Sequence, residues 1–348
     1  MAEQAWFSAG NPEEGRAGQY AVPPPPPKVA SLAAYELRPL TTGEILDRTF
    51  HLYRSNFWLF VALASIAAAI NVLSALGKLA YQHYLGTFVI GAVAGPMANS
   101  GGIARSAGFL VVSMLGSVLY FAAYGVTQAA TTSAVTSIYL GDFTSMKVAY
   151  KAVVERWPRF FGISLWQLWS AGWIFLALII PAMVIYGLGI QSKMWLAGLL
   201  IFTAVFSMIY GMIAYIRNSF AVPAAVMEGL TVRKAMRRSK QLSAGSKWRI
   251  FLLFLFITML YFVALAIQSP ILILIAHAKS SQLLLSQAAG LFIGFFTSAV
   301  IGPVGAIGLC LFYIDQRIRK EGFDIEFLIE RSVPPVTEPI IPLAVENP

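Results

Sequence analysis

The chain has little charge and almost no cysteine. Only 12% of its 348 residues are Asp, Glu, Lys or Arg, whereas a soluble domain typically has about a quarter. The lone cysteine, Cys310, cannot form an internal disulfide, and no Cys/His spacing typical of a metal site occurs. HExxH, GxSxG and Walker-type motifs are also missing. The sequence therefore predicts no enzyme, and no catalytic, cofactor or metal site.

Charge is missing altogether from six long stretches, 57–77, 108–140, 160–191, 195–216, 250–278 and 280–314. Each provides the roughly 20 apolar residues that a helix needs to cross a hydrocarbon core. The runs are continuous rather than alternating, which favours helices over barrel strands. The expected fold class is therefore an all-α integral membrane protein with six transmembrane helices.

The basic residues lie mostly on one side of these runs. All but four of the 25 Lys and Arg precede the first, third or fifth stretch or follow the sixth. The exceptions are Lys78, Arg105, Lys193 and Lys279. Positive segments are retained in the cytoplasm, so both termini are predicted to be cytoplasmic. We interpret the net charge of +9 as a topology signal with attraction to anionic headgroups, and expect no nucleic-acid partner.

A segment that opens with threonine recurs three times, each time before a pair of apolar runs. The copies begin at Thr41, Thr144 and Thr231, and each has the helical periodicity of an amphipathic helix lying in the cytoplasmic interface. The sequence thus predicts a membrane domain over 36–331, built from three helix-plus-hairpin repeats. These cover about 40–140, 143–228 and 230–330, and we expect an approximate threefold arrangement.

Local signals fix some helix ends and contacts. Thr41 and Glu44 form a capping box, and Gly322 is expected to close the last helix in the left-handed conformation. The sixth run carries a small-residue pattern that predicts a close-packing face, at Gly290, Gly294, Gly302 and Ala306.

Segments outside the apolar runs have their own expectations. Residues 1–35 and 332–348 are predicted to be disordered tails, the first cytoplasmic and proline-rich. The run Pro23–Pro27 is a stiff exposed rod and a possible ligand for a protein partner. Residues 86–99 are apolar but too short to cross, and they fit either an external loop or a re-entrant segment.

Two sets of side chains are candidates for a functional site. A polar stripe recurs at helical spacing in the second run, at Ser113, Ser117, Tyr120, Tyr124, Thr127 and Thr131. Such a stripe either bonds to neighbouring helices or lines a polar cavity. A basic set follows the fourth run and is a candidate for binding anionic headgroups, at Arg217, Arg233, Lys234, Arg237, Arg238 and Lys240.

Three segments resemble one family. These are RPLTTGEILDRTFHLYRSNFWLF (38–60), VPAAVMEGLTVRKAMRRSKQLSAGSKWRIF (222–251) and FYIDQRIRKEGFDIEFL (312–328). They resemble the membrane domain of the bacterial glycerophosphoryl diester phosphodiesterase family and its relatives of unknown function. The resemblance covers about 40–330 and implies a location in the bacterial inner membrane. It carries over no catalytic residue, because the catalytic barrel of the namesake enzymes has no counterpart here.

Two functions remain open at the level of the sequence. Without charge inside the runs, the favoured expectation is a non-enzymatic membrane scaffold or accessory subunit. Its partners would be the anionic bilayer surface and a protein bound through the proline-rich tail or the cytoplasmic helices. The alternative is a transporter, channel or lipid-handling protein that uses a polar cavity between the spans.

Overall fold

The computed structural model of the protein describes residues 38–84, 100–187, 191–276, 283–323 and 325. Every regular element within these ranges is helical, and no strand occurs among them. The α-helices are α1 (Thr42–Ser55), α2 (Phe57–Tyr84), α3 (Ser100–Tyr139), α4 (Met146–Val154), α5 (Trp157–Gly187), α6 (Met194–Asn218), α7 (Ala221–Met227), α8 (Val232–Ser243), α9 (Lys247–Ala276) and α10 (Leu283–Glu321). The predicted tails, segment 86–99 and Asp324 lie outside the described residues.

Six of these helices are long and apolar enough to span a membrane: α2, α3, α5, α6, α9 and α10. Within the described ranges, nearly all residues of the charge-free stretches lie in these six helices. This confirms the prediction of an all-helical, multi-pass membrane protein. Two spans are unusually long, since α3 continues for 40 residues and α10 for 39. After α6 the chain continues into the separate short helix α7.

Neighbouring spans contact one another in chain order and close into a ring. The contacts run from α2 to α3, α5, α6, α9 and α10, and α10 returns to α2. The sparsest contact in the ring joins α6 to α9, where the rings of Tyr215 and Phe254 lie 5.2 Å apart. The three hairpins are thus side by side, and their equivalence as repeats stays a prediction.

The four short helices gather at one end of the ring. We call α1, α4, α7 and α8, together with the span segments that contact them, the capped end, and the opposite ends of the spans the far end. α1 begins with the predicted capping box, in which the Glu44 amide donates to Thr41 Oγ1 at 3.3 Å and the Thr41 amide donates to Glu44 Oε2 at 2.7 Å. Gly322 has φ +68° after α10, which confirms the predicted left-handed closure.

The short helices turn their apolar faces toward the spans. Ile45 and Leu52 of α1, Val153 of α4, and Met236 and Leu242 of α8 are all buried. They join one cluster with the ends of the spans. The apolar faces that the sequence assigns to a membrane interface thus contact protein, and an interfacial position for these helices stays a prediction.

The buried core lies at the capped end. Its largest fully buried side chains include Phe60, Tyr139, Phe220, Phe312 and Tyr313. The C-terminal half of α10 passes through this core, so 56% of the residues in the most apolar window of α10 are buried, against 6% in α5. At the far end most large apolar side chains are exposed, as a surface in contact with hydrocarbon would be.

Close helix contacts occur at different glycines from those predicted. A Cβ at Gly211 of α6 would collide with the Ala171 carbonyl of α5, and one at Gly125 would lie 2.8 Å from the Phe160 carbonyl. A Cβ at Gly294 or Gly302 would meet nothing within 4 Å. The small-residue pattern of the sixth run was therefore the wrong indicator at these two positions, since spacing alone does not show which side of a helix has a neighbour.

Candidate functional site

At the capped end, a carboxylate with no exposed surface holds three parts of the chain together. Asp315 Oδ1 accepts hydrogen bonds from the Leu40 amide at 2.8 Å and from Arg319 Nε at 3.0 Å. Its Oδ2 accepts one from Arg249 Nη1 at 3.3 Å. Arg249 and Arg319 also donate to the Leu40 carbonyl, at 2.8 and 2.5 Å. We call these four residues the Asp315 cluster.

The Asp315 cluster is a structural joint. A buried charge is costly unless it is paired and hydrogen-bonded, and here the backbone of residue 40 and two guanidinium groups satisfy the Asp315 carboxylate. The cluster ties the segment before α1 to the start of α9 and the end of α10. Among the described residues, no group of His, Cys, Asp or Glu could hold a metal ion.

A second set of ion pairs fixes α7 and α8 to α10. Glu228, at the end of α7, accepts from Arg238 Nε at 3.0 Å and from the Tyr313 hydroxyl. Arg238 Nη2 also donates to Glu321 Oε2 at 2.6 Å. Burial lowers the pKa of Arg238, but the hydrogen bonds to Glu321 and Glu228 outweigh it and leave that pKa raised. Arg238 therefore stays charged and engaged with carboxylates.

The orientation of α8 is further fixed at its middle and its C-terminal end. Ser239 Oγ accepts from the Phe220 amide and donates to the Arg217 carbonyl, both at 3.0 Å. Lys320 Nζ donates to the Leu242 and Ala244 carbonyls at 2.9 and 2.7 Å. A cation on the last carbonyls of a helix also complements its dipole. The buried face of α8 is thus held in one orientation.

The opposite face of α8 is basic and open. Four of its side chains are exposed and make no ion pair or hydrogen bond within the described ranges, namely those of Arg233, Lys234, Arg237 and Lys240. Of the predicted headgroup set, Arg238 is instead engaged in the ion pairs described above. Arg217 is half-buried, and its Nε has no hydrogen-bond partner among the described residues.

The predicted polar stripe divides into two parts. Tyr120, Tyr124, Thr127 and Thr131 line one cavity of about 70 Å³ between α2, α3, α9 and α10. Ser117 is exposed and donates to the Ser113 carbonyl of its own helix at 2.8 Å. Ser113 Oγ is buried and has no partner among the described residues. The four stripe residues nearer the capped end therefore line this interior space, and Ser113 and Ser117 do not.

We call this space the hydroxyl chamber. Besides the four stripe residues, its lining includes Gln128, Tyr261 and Ser298. Gln128 Nε2 donates to the Tyr124 hydroxyl at 2.8 Å, and the hydroxyls of Thr127 and Tyr150 lie 3.0 Å apart. A smaller cavity of about 20 Å³ shares Tyr124 and Gln128 and extends toward Tyr215. Cavities of these sizes suit ordered waters or a small polar group.

Several of these residues were missed by sequence reasoning. Tyr215 and Tyr261 carry polar hydroxyls inside apolar runs, which was a usable signal. The exposed Tyr210 lies in the same run as Tyr215, so the residue type alone does not show which tyrosine faces a cavity. Gln128 falls among the stripe residues but outside its spacing. Arg249 and Asp315 lie 66 positions apart in the sequence, so no local pattern predicts that they pair.

Comparisons with protein-family models, with curated proteins and with solved structures give no match.

Proposed function

We propose that this protein is a non-enzymatic membrane scaffold or accessory subunit whose capped end faces the cytoplasm of a bacterial cell. The observation that carries the proposal is the fixed helix α8, which presents four exposed cations that have no ion-pair or hydrogen-bond partner among the described residues. A flexible basic loop would give a diffuse charge, whereas a docked helix gives a defined surface. Such a surface suits anionic headgroups or an acidic partner protein.

The energetics favour the headgroups as the first partner. Each Lys or Arg near an anionic membrane surface contributes about 1 kcal/mol. Arg233, Lys234, Arg237 and Lys240 together therefore provide enough attraction to enrich anionic lipid beside α8. Arg217 lies beside the buried face of α8, because its carbonyl accepts from Ser239 and Ser243. It stays in the proposed headgroup set as the half-buried cation that follows the fourth run.

Two further expectations belong to this proposal. The three helix-plus-hairpin repeats are supported by the ring order of the spans and by the positions of α1, α4 and α8 before successive hairpins. The membrane-domain resemblance stays an expectation from the sequence, and the segments on which it rests meet at the capped end. Leu40, Arg249 and Asp315 come from the three different segments, and all belong to one cluster.

A lipid-binding experiment tests the headgroup surface. The full chain is placed in nanodiscs of phosphatidylcholine with a minority of phosphatidylglycerol, and retained lipids are counted by native mass spectrometry. Replacing Arg233, Lys234, Arg237 and Lys240 together by Gln should lower the phosphatidylglycerol enrichment several-fold. The control changes Lys147 and Lys151 of α4 to Gln and should have a smaller effect. Equal enrichment in the wild type and the α8 variant would contradict the proposal.

The scaffold role is tested by partner proteins. After mild extraction from its native membrane, the protein should retain specific partners in quantitative mass spectrometry. Those partners should be lost on removal of residues 1–35 or on neutralisation of the α8 cations, while the α4 control should retain them. Recovery of the protein alone under all of these conditions would count against a scaffold.

The hydroxyl chamber supports a second candidate function, lipid handling. The chamber is small, has hydroxyl and amide groups among apolar side chains, and is lined by no charged side chain. Among the described residues, the two cavities are too small to form an aqueous pore. This geometry suits the polar end of a lipid better than a path for ions, so among the alternatives it favours lipid handling over a channel or transporter.

A further inference from the structure

An apolar groove runs between α2 and α10 toward the far end. Its lining is entirely apolar and includes Ala69, Leu73, Leu76, Leu291, Phe292 and Phe295. Its volume is about 400 Å³, within the range of roughly 300 to 1,000 Å³ that ligand sites occupy. Both helices are candidate membrane spans, so the groove opens onto hydrocarbon.

The groove and the hydroxyl chamber adjoin along the same pair of helices. On α2, Ala68 lines the chamber and the next residue, Ala69, lines the groove. On α10, Phe295 lines the groove and Ser298 lines the chamber, a separation of roughly 4.5 Å along the helix axis. The two spaces therefore lie end to end along these helices, with the hydroxyl chamber toward the capped end and the apolar groove toward the far end. We call the pair the amphipathic site.

The chamber provides hydrogen bonds but no charge. The hydroxyls of Tyr120, Tyr261 and Ser298 make no hydrogen bond to any part of the chain that the structure describes. They are free to donate to and accept from a guest. No Asp, Glu, Lys, Arg or His lines the space, so a phosphate buried there would have no counter-charge and a large desolvation cost.

We propose that this site binds one neutral lipid with a small hydroxylated headgroup of the monoacylglycerol type. The headgroup lies in the hydroxyl chamber, and its acyl chain lies along the groove between α2 and α10. The proposal rests on the second candidate function, lipid handling, and is independent of the α8 surface. The free hydroxyls of the chamber match a hydroxylated headgroup, and the apolar groove matches an acyl chain.

The test uses photoaffinity labelling of the full chain in phosphatidylcholine nanodiscs. The probes are monooleoylglycerol and oleoyl phosphate, each with the same photoreactive group in the acyl chain. Monooleoylglycerol should label peptides that contain 69–76 or 288–295 several-fold more strongly than oleoyl phosphate. Unlabelled monooleoylglycerol should compete with that labelling.

Matched variants assign the labelling to the two halves of the site. Tyr120→Phe combined with Tyr261→Phe removes two free hydroxyls without changing ring size, and should reduce labelling by monooleoylglycerol at least threefold. Tyr210→Phe, an exposed tyrosine of α6 outside the site, should not. Ala69→Phe should block the groove, whereas Ala177→Phe on the exposed surface of α5 should leave labelling unchanged. Thermal unfolding checks that every variant is folded.

The outcomes separate the two proposals. Stronger labelling by oleoyl phosphate would overturn the neutral headgroup and leave lipid handling in place. Equal labelling by both probes, insensitive to the tyrosine variants, would mean that the groove holds bulk lipid and the chamber holds water, which overturns the site. Absence of labelling at the groove would overturn lipid handling as well.

Discussion

The two ends of the bundle are held together by different interactions. The capped end combines buried aromatic rings with ion pairs that link residues distant in sequence, such as Arg249 and Asp315. Among the described residues, the far halves of the spans are joined by few polar contacts, such as Ser74 Oγ to the Gly116 carbonyl at 3.1 Å and Gln268 Nε2 to Thr297 Oγ1 at 2.5 Å. Most large side chains there face outward. In hydrocarbon such a surface costs nothing, because lipid tails are as apolar as the side chains. The fold is thus specified at the capped end, and the far end follows from it.

The largest expected effect comes from breaking the Asp315 cluster. Asp315→Asn leaves two guanidinium groups facing an amide and weakens the acceptor of the Leu40 amide. Removing one partner of a buried ion pair costs about 3 to 5 kcal/mol, and we expect the lower value because Arg249 and Arg319 keep partial access to water. SDS titration of the purified chain in mixed micelles measures the free energy of unfolding.

The matched control for this prediction is Glu155→Gln, at an exposed position after α4, which should change the free energy of unfolding by less than about 0.5 kcal/mol. If Asp315→Asn were as mild as the control, the Asp315 cluster would not be a structural joint. The far end would then have to contribute more to stability than its exposure suggests.

A smaller effect compares the two ends of one helix. Gly211→Ala places a methyl group of α6 against the Ala171 carbonyl, and such overpacking costs about 1 to 3 kcal/mol. Gly198→Ala, near the far end of the same helix, meets open space and should be neutral or slightly stabilising. The same SDS titration distinguishes them, and equal effects at the two glycines would remove the contrast between the ends.

The capping box predicts a pH dependence confined to the capped end. The pKa of Glu44 is lowered from 4.5 to about 2, first by the hydrogen bond from the Thr41 amide and then by Arg38. Because the folded chain binds this proton more weakly, the contribution is complete above pH 4.5 and is lost as the pH falls toward 2. Glu44→Gln should therefore flatten part of the acid loss of stability between those values. Glu155→Gln should leave the wild-type slope, and an identical slope in Glu44→Gln would show that the capping box is not formed in solution.

The smallest expected signal is a lack of reaction. Cys310 is fully buried at the capped end, so a water-soluble maleimide should not label the folded chain and should label it in SDS. In a Cys310→Ser background, Ala244→Cys places a thiol at an exposed position after α8 and should react at once. Rapid labelling of native Cys310 would show that the capped end opens.

The spans were predictable because hydrophobicity is a local property that a run of 20 residues displays by itself. The capping box at Thr41 and the closure at Gly322 were predictable for the same reason. The ion pairs of the capped end were not predictable. In the sequence Asp315 is one of several polar residues at a helix end, and only the fold brings Arg249 beside it. For the stripe, periodicity shows which residues share a face of the helix, but it does not show that Ser117 and Tyr120 differ in what lies opposite them.

The length of α3 has a mechanical consequence. At 1.5 Å per residue its 40 residues extend for roughly 60 Å, about twice the hydrocarbon thickness of a bilayer. A helix of this length must either tilt or project beyond the lipid, and a thinner bilayer increases the mismatch that tilting accommodates. The ion pairs of the capped end keep the helices together at one end only. A change in membrane thickness should therefore alter the spacing of the helices at the far end, and the basic surface of α8 should keep its shape.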